Sequence, residues 1–441
     1  MSPDKAATAR VQITQPRIAY LLGLPMETIL TVASYLPTGD TCSLRLVCKV
    51  LDGILLKVFA RQHFTRLYLM PTLDTLQTLI SIAESERLSR YVHELCICSS
   101  IYQHGVAHIQ ERPWTDPTVS RPRVIKANHC PYPCTVLPWQ LAANHAADFV
   151  RFRGFQAQLT TALHRLQIRR IEIQEWPRRP TLPLGLSRLI RQTGKDPFKD
   201  VFLGIRPAWE YTTPNMVTCV TNGVLSAVLD SRTPLSSLVI DRVQGDQIKV
   251  AHRSGHSLDH LRFFKISIAL SNQKLHTLLS DQNSCFDIFT LINGSPHLEH
   301  LALYSTPYTR SSGLHLNEAL QCIDPRGIQK LSLGMFWDAT PQLVPFLKGF
   351  DTNLRDLELI FTVSSDESKP WNDMFSKLRA VLSLEHLHID IDAHIFDAHG
   401  NDEIEFTLTW LAESMPDHWA KLEETEEEDG SEEEQDEAEE L

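Results

Sequence analysis

One stretch near the amino terminus, from Leu22 to Phe64, constrains the fold more than any other part of the chain, because it predicts three short helices. Pro25 suits the first turn of the first helix, and Asp40 is predicted to cap the second. Apolar residues recur at helical spacing: Ile29, Val32, Ala33 and Leu36, then Leu44, Leu46 and Val47, then Leu51, Leu55, Val58 and Phe59. About forty residues are too few for an independent core. The segment therefore needs a partner to cover its apolar surface.

This segment resembles the F-box, the adaptor-binding module of cullin-type (SCF) ubiquitin ligases. The match consists of Leu24, Pro25 and Glu27 with Ile29 and Leu30, then Leu36, Pro37 and Asp40, then Leu44, Leu46, Val47, Cys48 and Lys49. The resemblance implies that these helices bind the adaptor subunit and, through it, the cullin scaffold. It implies seven contact residues: Leu24, Pro25, Ile29, Leu36, Leu44, Val47 and Leu51. Many members place a Trp a few residues after the Val-Cys pair, whereas this chain has Leu51, so weaker adaptor binding is expected.

The composition is typical of an ordinary globular protein whose cysteines are reduced thiols. Nine cysteines are scattered over 441 residues without the dense spacing of a secreted disulfide scaffold, so cytoplasm or nucleus is the expected location. The net charge of −12 comes from the segment Glu423 to Glu440, which has thirteen acidic residues and no basic one. The rest of the chain is nearly neutral, so charge predicts neither nucleic-acid nor membrane binding. No apolar run reaches the length of a membrane span.

One apolar pattern recurs along the chain. In it, an apolar residue is followed by a second apolar residue three positions later and by a third two positions after that. Its eight occurrences begin at Val92, Leu163, Leu235, Leu258, Leu298, Ile328, Leu354 and Leu384. The last four share a polar lead-in and follow one another at 30, 26 and 30 residues, which is room for a strand, a helix and two loops. We therefore predict an α+β or α/β chain in which the F-box is followed by an irregular leucine-rich-repeat-like solenoid.

These signals divide the chain into four parts. Residues 1–20 are predicted to be disordered, 21–64 to form the F-box, 65–422 to form the repeat-like region, and 423–441 to be a disordered acidic tail. A proline-rich insertion at 111–140 is predicted to be an ordered or binding loop. Trp410, Leu411 and Trp419 are predicted to belong to a last capping helix.

Two clusters of metal-ligand types occur, and neither predicts a metal site strongly. His129, Cys130 and Cys134 have suitable chemistry for zinc, but a structural site needs four ligands, and free thiols in a loop are the simpler interpretation. His386, His388, Asp390 and Asp392 alternate with apolar residues, which predicts one solvated strand face. The sequence contains no Gly-rich phosphate loop and no nucleophile elbow. No catalytic residue, metal or cofactor is therefore predicted.

Target recognition is predicted to involve aromatic and arginine side chains: Trp114, Trp139, Trp337, Arg165, Arg169 and Arg170. Clustered guanidinium groups suit phosphorylated peptides, although an exposed strand balanced by acidic neighbours is the simpler interpretation of the arginines. The function predicted from the resemblance is a non-catalytic substrate-recognition subunit of a ubiquitin ligase, which binds the adaptor and an unknown target protein. The alternatives are an interaction scaffold outside any ligase and, with less support, a metalloenzyme.

Overall fold

In the computed structural model, the described residues are 21–99, 138–174, 183–198, 214–244, 248, 258–269, 291–305, 323–324, 327–334, 340–350, 353–363, 384–396 and 402–412. The chain divides into two compact units, Met1–Arg66 and Leu67–Leu441. Among the described residues, no helix combines the length and apolar character that a bilayer crossing requires. The proline-rich insertion up to residue 137, the acidic tail and residues 1–20 lie outside the described residues.

Among its described residues, the first unit contains the helices α1 (Met26–Ser34), α2 (Thr38–Val47) and α3 (Lys49–His63). Pro25 and Pro37 precede α1 and α2 with extended backbone, as expected for a residue whose ring disfavours helix interiors but tolerates helix starts. The predicted capping role of Asp40 is wrong, because α2 has already begun at Thr38 and Asp40 lies in its first turn. A carboxylate there still interacts favourably with the helix dipole.

The second unit alternates strands and helices. In chain order it contains β1 (Arg66–Leu69), α4 (Leu73–Glu84), β2 (Glu94–Cys98), α5 (Pro138–Arg151), α6 (Gly154–Leu163), β3 (Arg170–Gln174), α7 (Leu186–Thr193), α8 (Pro214–Ser231), β4 (Ser237–Gln244), β5 (Phe263–Ala269), β6 (His300–Ser305), β7 (Lys330–Gly334), α9 (Thr340–Leu347), β8 (Asp356–Val363), β9 (His386–Phe396) and β10 (Asp402–Ala412). The sequence predicts a strand at Leu67–Leu69, a helix at Thr72–Ala83 and a strand at Val92–Ile97. The structure confirms them as β1, α4 and β2, to within two residues at each end. Thr72 caps α4 by accepting a hydrogen bond from the Thr75 backbone N–H.

The ten strands of the described residues form one sheet, in which the spatial order follows the chain order from β1 to β10. Strands β2 to β9 pair in parallel, each with the next, and β10 pairs with β9 in the antiparallel sense. Helix α8 packs on β4 and on α6, and α4 packs on α6. The packing of these helices on each other and on the sheet thus brings together segments that are far apart in the sequence.

The sheet is held together by two aligned columns of buried apolar side chains. One column runs through Leu95, Ile171, Leu238, Phe264, Leu301, Leu331, Leu357 and Leu387, all at most 2% exposed. The second column lies two residues further along each strand and begins with Ile97, Ile173 and Ile240. Side chains alternate between the faces of a strand, so the intervening residues lie on the opposite face.

The predicted architecture, a three-helix F-box followed by a leucine-rich-repeat-like solenoid, is wrong, and of the two predicted classes, α+β and α/β, only α/β describes the structure. The described residues instead form an open α/β sheet of mostly parallel strands with helices, and the three helices at the start are not evident as an F-box from their arrangement alone. A repeat needs a constant unit length, but Glu94 and Arg170 are 76 residues apart in register, whereas Ser237 and Phe263 are 26 apart. Parallel pairing requires only a crossover of sufficient length, so unequal connections satisfy it.

Two of the eight apolar matches were also assigned to the wrong residues. The pattern that began at Leu163 lies at the end of α6 and in the following turn, whereas Ile171 and Ile173 carry the aligned positions of β3. Likewise Phe264 and Ile266, rather than Leu261 and Phe263, carry those of β5. Trp410 and Leu411 belong to β10 and not to a capping helix, while Trp419 lies outside the described residues. At β3 and β5, neighbouring apolar residues fit the same spacing, so the spacing alone does not identify the aligned positions.

Candidate binding surfaces

The three N-terminal helices have a small core of their own. Ile29, Ala33, Leu51 and Leu55 are buried together, and Leu21, Leu30, Leu44, Cys48 and Ile54 pack around them. Arg45 joins α2 to α3, because its Nε and Nη2 donate to one carboxylate oxygen of Asp52 at 3.1 and 2.9 Å. The same guanidinium carbon lies 4.1 Å from the centre of the Phe59 ring. These contacts fix α2 against α3 and position the remaining side chains.

Large apolar side chains on the same helices remain exposed, and we name this set the apolar helical surface. It consists of Leu22 (38% exposed), Leu24 (41%), Met26 (53%), Val32 (45%), Tyr35 (83%), Leu46 (86%), Val47 (49%) and Val50 (56%). In the rest of the described chain, only Leu73, Leu141 and Phe152 are large apolar residues with comparable exposure. Single exposed apolar residues are ordinary, whereas such a concentration in 29 residues is typical of an interaction surface.

The seven residues implied as adaptor contacts divide by burial. Leu24, Pro25 and Val47 are exposed, and Leu36 and Leu44 are half-buried. Ile29 and Leu51 are 2% and 0% exposed and belong to the helical core. We therefore assign those two to packing of the helices, and of the seven only Leu24 and Val47 belong to the apolar helical surface. The sequence pattern missed Leu22, Met26, Tyr35 and Val50, and helical spacing alone does not separate them from the buried residues, because Met26 lies three residues from the buried Ile29.

A second candidate surface lies on the sheet, on the side opposite the columns of leucines. We name it the sheet face and define it by Phe263, Lys265, His300, Tyr304, Lys330, Ser332, Gly334, Asp356 and Glu358, which occupy alternating positions of β5 to β8. All the charged and aromatic members are half-buried, so each retains a solvent-exposed part. Their position on ordered strands gives them fixed spacing.

The side chains of the sheet face lean from each strand toward the next. The Phe263 ring meets the His300 ring edge-on with centroids 4.6 Å apart, and His300 Nε2 lies 3.3 Å from Ser332 Oγ. Further along the strands, Lys265 Nζ lies 4.3 Å from the centre of the Tyr304 ring, although Lys265 is aligned with Ala302 and Tyr304 lies two residues beyond it. The Tyr304 ring occupies the space that a Cβ on Gly334 would need, so only glycine permits this position of the ring. These side chains, from three successive rows of the sheet, form a closely packed polar and aromatic layer.

The positive and negative side chains of this layer are equal in number but are not evenly distributed over it. Burial and the cations of Lys330 and Lys265 lower the pKa of His300 to about 4, against the opposing influence of the carboxylates of Glu358 and Asp356. His300 is therefore neutral at physiological pH. Burial and the carboxylate of Glu358 raise the pKa of Tyr304, although its hydrogen bond to Ser332 acts in the opposite direction. The phenol therefore stays protonated and can donate a hydrogen bond.

The residues predicted to bind the target do not form one site. Trp114 and Trp337 lie outside the described residues. Trp139 is half-buried against Met70, Leu186, Leu189 and Phe198, with Lys195 Nζ 4.4 Å from its ring centre. Arg165 is paired with Glu84, and Arg170 Nη2 lies 3.5 Å from Glu172, whereas Arg169 is exposed at the turn before β3. These partners favour the interpretation of the arginines as balanced surface charges.

No metal-binding group of His, Cys, Asp and Glu occurs within the part of the chain that the structure describes. The weak zinc candidates His129, Cys130 and Cys134 lie outside it. Cys96 and Cys98 are fully buried on β2, and Gln174 Nε2 lies 3.8 Å from Cys98 Sγ. Burial raises the pKa of the Cys98 thiol, which makes it a poor nucleophile.

The comparisons with known proteins add no family to this description. No protein-family model matches the chain, and no curated protein matches it significantly. The candidate functional features of the described residues are the apolar helical surface and the sheet face.

Proposed function

We propose that this protein is a non-catalytic substrate-recognition subunit of a cullin-type (SCF) ubiquitin ligase. In this proposal the apolar helical surface binds the ligase adaptor, and the sheet unit binds the target protein. Ubiquitin transfer is carried out by other subunits, and this chain acts in the ubiquitin conjugation pathway by bringing two proteins together. Cytoplasm and nucleus, where these ligases act, are the proposed locations.

The observation that carries the proposal is the apolar helical surface itself. Eight exposed large apolar residues lie between Leu22 and Val50, within the segment that resembles the F-box. The helical core of Ile29, Ala33, Leu51 and Leu55 leaves them outside, so the helices fold without covering them. Removing such an area from water stabilises a complex by about 25 cal/mol for each Å² of apolar surface, before the costs of association. A protein partner with an apolar groove is the matching ligand.

The mechanism is an increase in effective concentration. Binding the adaptor and the target at once converts the encounter between the target lysines and the conjugating enzyme into an intramolecular event. Such tethering accelerates a reaction without contributing any catalytic group. It therefore requires two binding surfaces and no active site on this chain.

Co-purification with the ligase adaptor tests the proposal. The full chain is expected to retain the purified adaptor, and Leu46→Asp combined with Val50→Asp is expected to lower retention at least tenfold, because both side chains are exposed apolar members of the surface. The combination of Leu24→Ala with Pro25→Ala should also lower retention of the adaptor. The helical circular dichroism signal of each variant must match that of the parent chain, which shows that the variant is folded.

Phe152→Asp is the matched control, since Phe152 is 81% exposed but lies in the second unit, in the turn between α5 and α6. This variant should bind the adaptor as the parent chain does. Failure of the parent chain to bind any adaptor–cullin complex would overturn the proposal and favour an interaction scaffold outside a ligase.

A further inference from the structure

We propose that the sheet face binds an extended peptide that carries one acidic side chain and one basic side chain four residues apart. This inference rests on the proposed function, because it specifies the chemistry of the target that the receptor holds. The acidic side chain pairs with Lys265 and the basic side chain with Glu358.

The register of the sheet places these two charges in one row. Lys265 on β5 is aligned with Ala302 on β6, Ala302 with Ser332 on β7, and Ser332 with Glu358 on β8. Ala302 and Ser332 are uncharged, so no charged side chain of this row lies between the cation and the carboxylate. Both are also buried, at 2% and 1% exposed. In the neighbouring row the opposite charges of Lys330 and Asp356 lie on adjacent strands and balance each other locally. The separated pair is therefore Lys265 and Glu358.

The separation of these charges sets the spacing in the peptide. Neighbouring strands are about 4.8 Å apart, so β5 and β8 are about 14 Å apart. The contact between Lys265 Nζ and the Tyr304 ring moves the ammonium toward β6, which leaves roughly 10–14 Å to Glu358. An extended chain advances about 3.3 Å per residue and presents every second side chain on one face. Four residues span about 13 Å on one face, whereas two span about 7 Å and six about 20 Å.

The layer between the charges suits a peptide that crosses it. His300 is held against Phe263 and Ser332, and Tyr304 lies over Gly334, so the aromatic surface is ordered before binding. Ordered contacts lower the entropic cost of holding a ligand. The Tyr304 hydroxyl remains protonated because burial and Glu358 raise its pKa, and it offers a donor to a peptide carbonyl. The charged residues at the two ends then select the sequence of the peptide.

Fluorescence anisotropy with the full chain and defined peptides tests this inference. The probe is a fluorescein-labelled alanine–serine peptide with one glutamate and one arginine at positions i and i+4. Binding is expected to be at least tenfold tighter than that of a peptide of the same composition with the charges at i and i+2. Equal affinity for both spacings would overturn the inference.

Charge reversal on the protein provides a gain of binding that misfolding cannot imitate. Lys265→Glu should lose at least tenfold in affinity for the glutamate–arginine peptide and should bind an arginine–arginine peptide better than the parent chain does. Glu358→Lys should likewise gain affinity for a glutamate–glutamate peptide. Lys348→Glu, the same charge change at an exposed residue after α9, should leave all affinities unchanged. An equal loss in Lys348→Glu, or no exchange of specificity, would contradict the assignment.

The adaptor experiment separates this inference from the proposed function. Lys265→Glu should retain the adaptor as the parent chain does. If the adaptor binds and no peptide does, the inference about the sheet face falls alone. If the peptides bind and no adaptor does, the ligase function falls while the peptide-binding face stands.

Discussion

Gly334 is the position at which one missing methyl group decides how the sheet face packs. A Cβ there would overlap the Tyr304 ring, with the ring atom Cε1 at 2.8 Å. Gly334→Ala should therefore displace the ring and destabilise the sheet by about 1–3 kcal/mol, the usual cost of overpacking. Hydrogen exchange of the β6 and β7 amides, measured with urea unfolding, checks this expectation.

Gly53→Ala is the contrasting substitution, because nothing lies within 4 Å of the added Cβ and Gly53 is inside α3. Alanine is favoured over glycine in helices, so Gly53→Ala should increase the stability of α3 by about 1 kcal/mol.

For Gly334→Ala, unchanged hydrogen-exchange protection of β6 and β7 would show that the Tyr304 ring does not need that space.

His300 should make the sheet unit sensitive to acid. Its folded pKa of about 4 lies below its ordinary value of 6.5, so the unfolded chain binds the proton more readily in between. The stabilisation that His300 contributes is complete above about pH 6.5, is lost progressively as pH falls, and is gone below about pH 4. Urea unfolding of His300→Gln should show a smaller loss of stability across this window than the parent chain.

A second variant identifies the cause of the low pKa. Burial is the main cause, and the Lys330 cation is the next. Lys330→Met should therefore raise the pKa of His300, which NMR titration of the ring can measure. A ring that titrates at 6.5 in the parent chain would contradict the described packing against Phe263 and Ser332.

Helices α1 to α3 separate the residues that fold the unit from those available for binding. Leu51 is fully buried in the helical core, so Leu51→Ala should destabilise it by about 2–5 kcal/mol. Leu46 is 86% exposed, so Leu46→Ala should change stability by no more than about 0.5 kcal/mol. Urea unfolding followed by far-ultraviolet circular dichroism measures both. Equal destabilisation by the two substitutions would mean that Leu46 is also covered within this chain.

The sequence predicted the positions of these helices well and their burial less well. Helical spacing reports that Ile29, Val32 and Ala33 share a stripe, but Ile29 and Ala33 are buried whereas Val32 is 45% exposed. A periodic pattern cannot show how much of an apolar stripe a small core covers. Only the packing of α1 against α3 shows which members remain outside.

The sheet shows the same limit over a longer range. The apolar triplets predicted β2, β4, β6, β7, β8 and β9 near their observed places, because period-two alternation is a local property. They failed at β3 and β5, where neighbouring apolar residues fit the pattern equally well and only the backbone pairing selected the frame. The sheet face was missed because Lys265, Tyr304 and Glu358 become a group only after β5 to β8 are aligned.

The proposed function requires that one chain hold the adaptor and the target together. Leu46→Asp with Val50→Asp removes adaptor contacts, and Lys265→Glu removes a peptide contact on the other compact unit. In a reconstituted ligase, the substrate is the glutamate–arginine peptide extended by an acceptor lysine. Each variant alone should reduce ubiquitin transfer to this peptide at least tenfold, because tethering fails at one end or the other.

Mixing the two defective variants gives the decisive measurement, since the mixture contains both intact surfaces on different molecules. If a single chain bridges the partners, the mixture should remain as slow as either variant alone. Lys348→Glu combined with Phe152→Asp supplies a control with comparable exposed substitutions and should transfer ubiquitin like the parent chain. Full activity of the mixture would show that the two surfaces need not share a chain, and tethering through a single polypeptide would then be wrong.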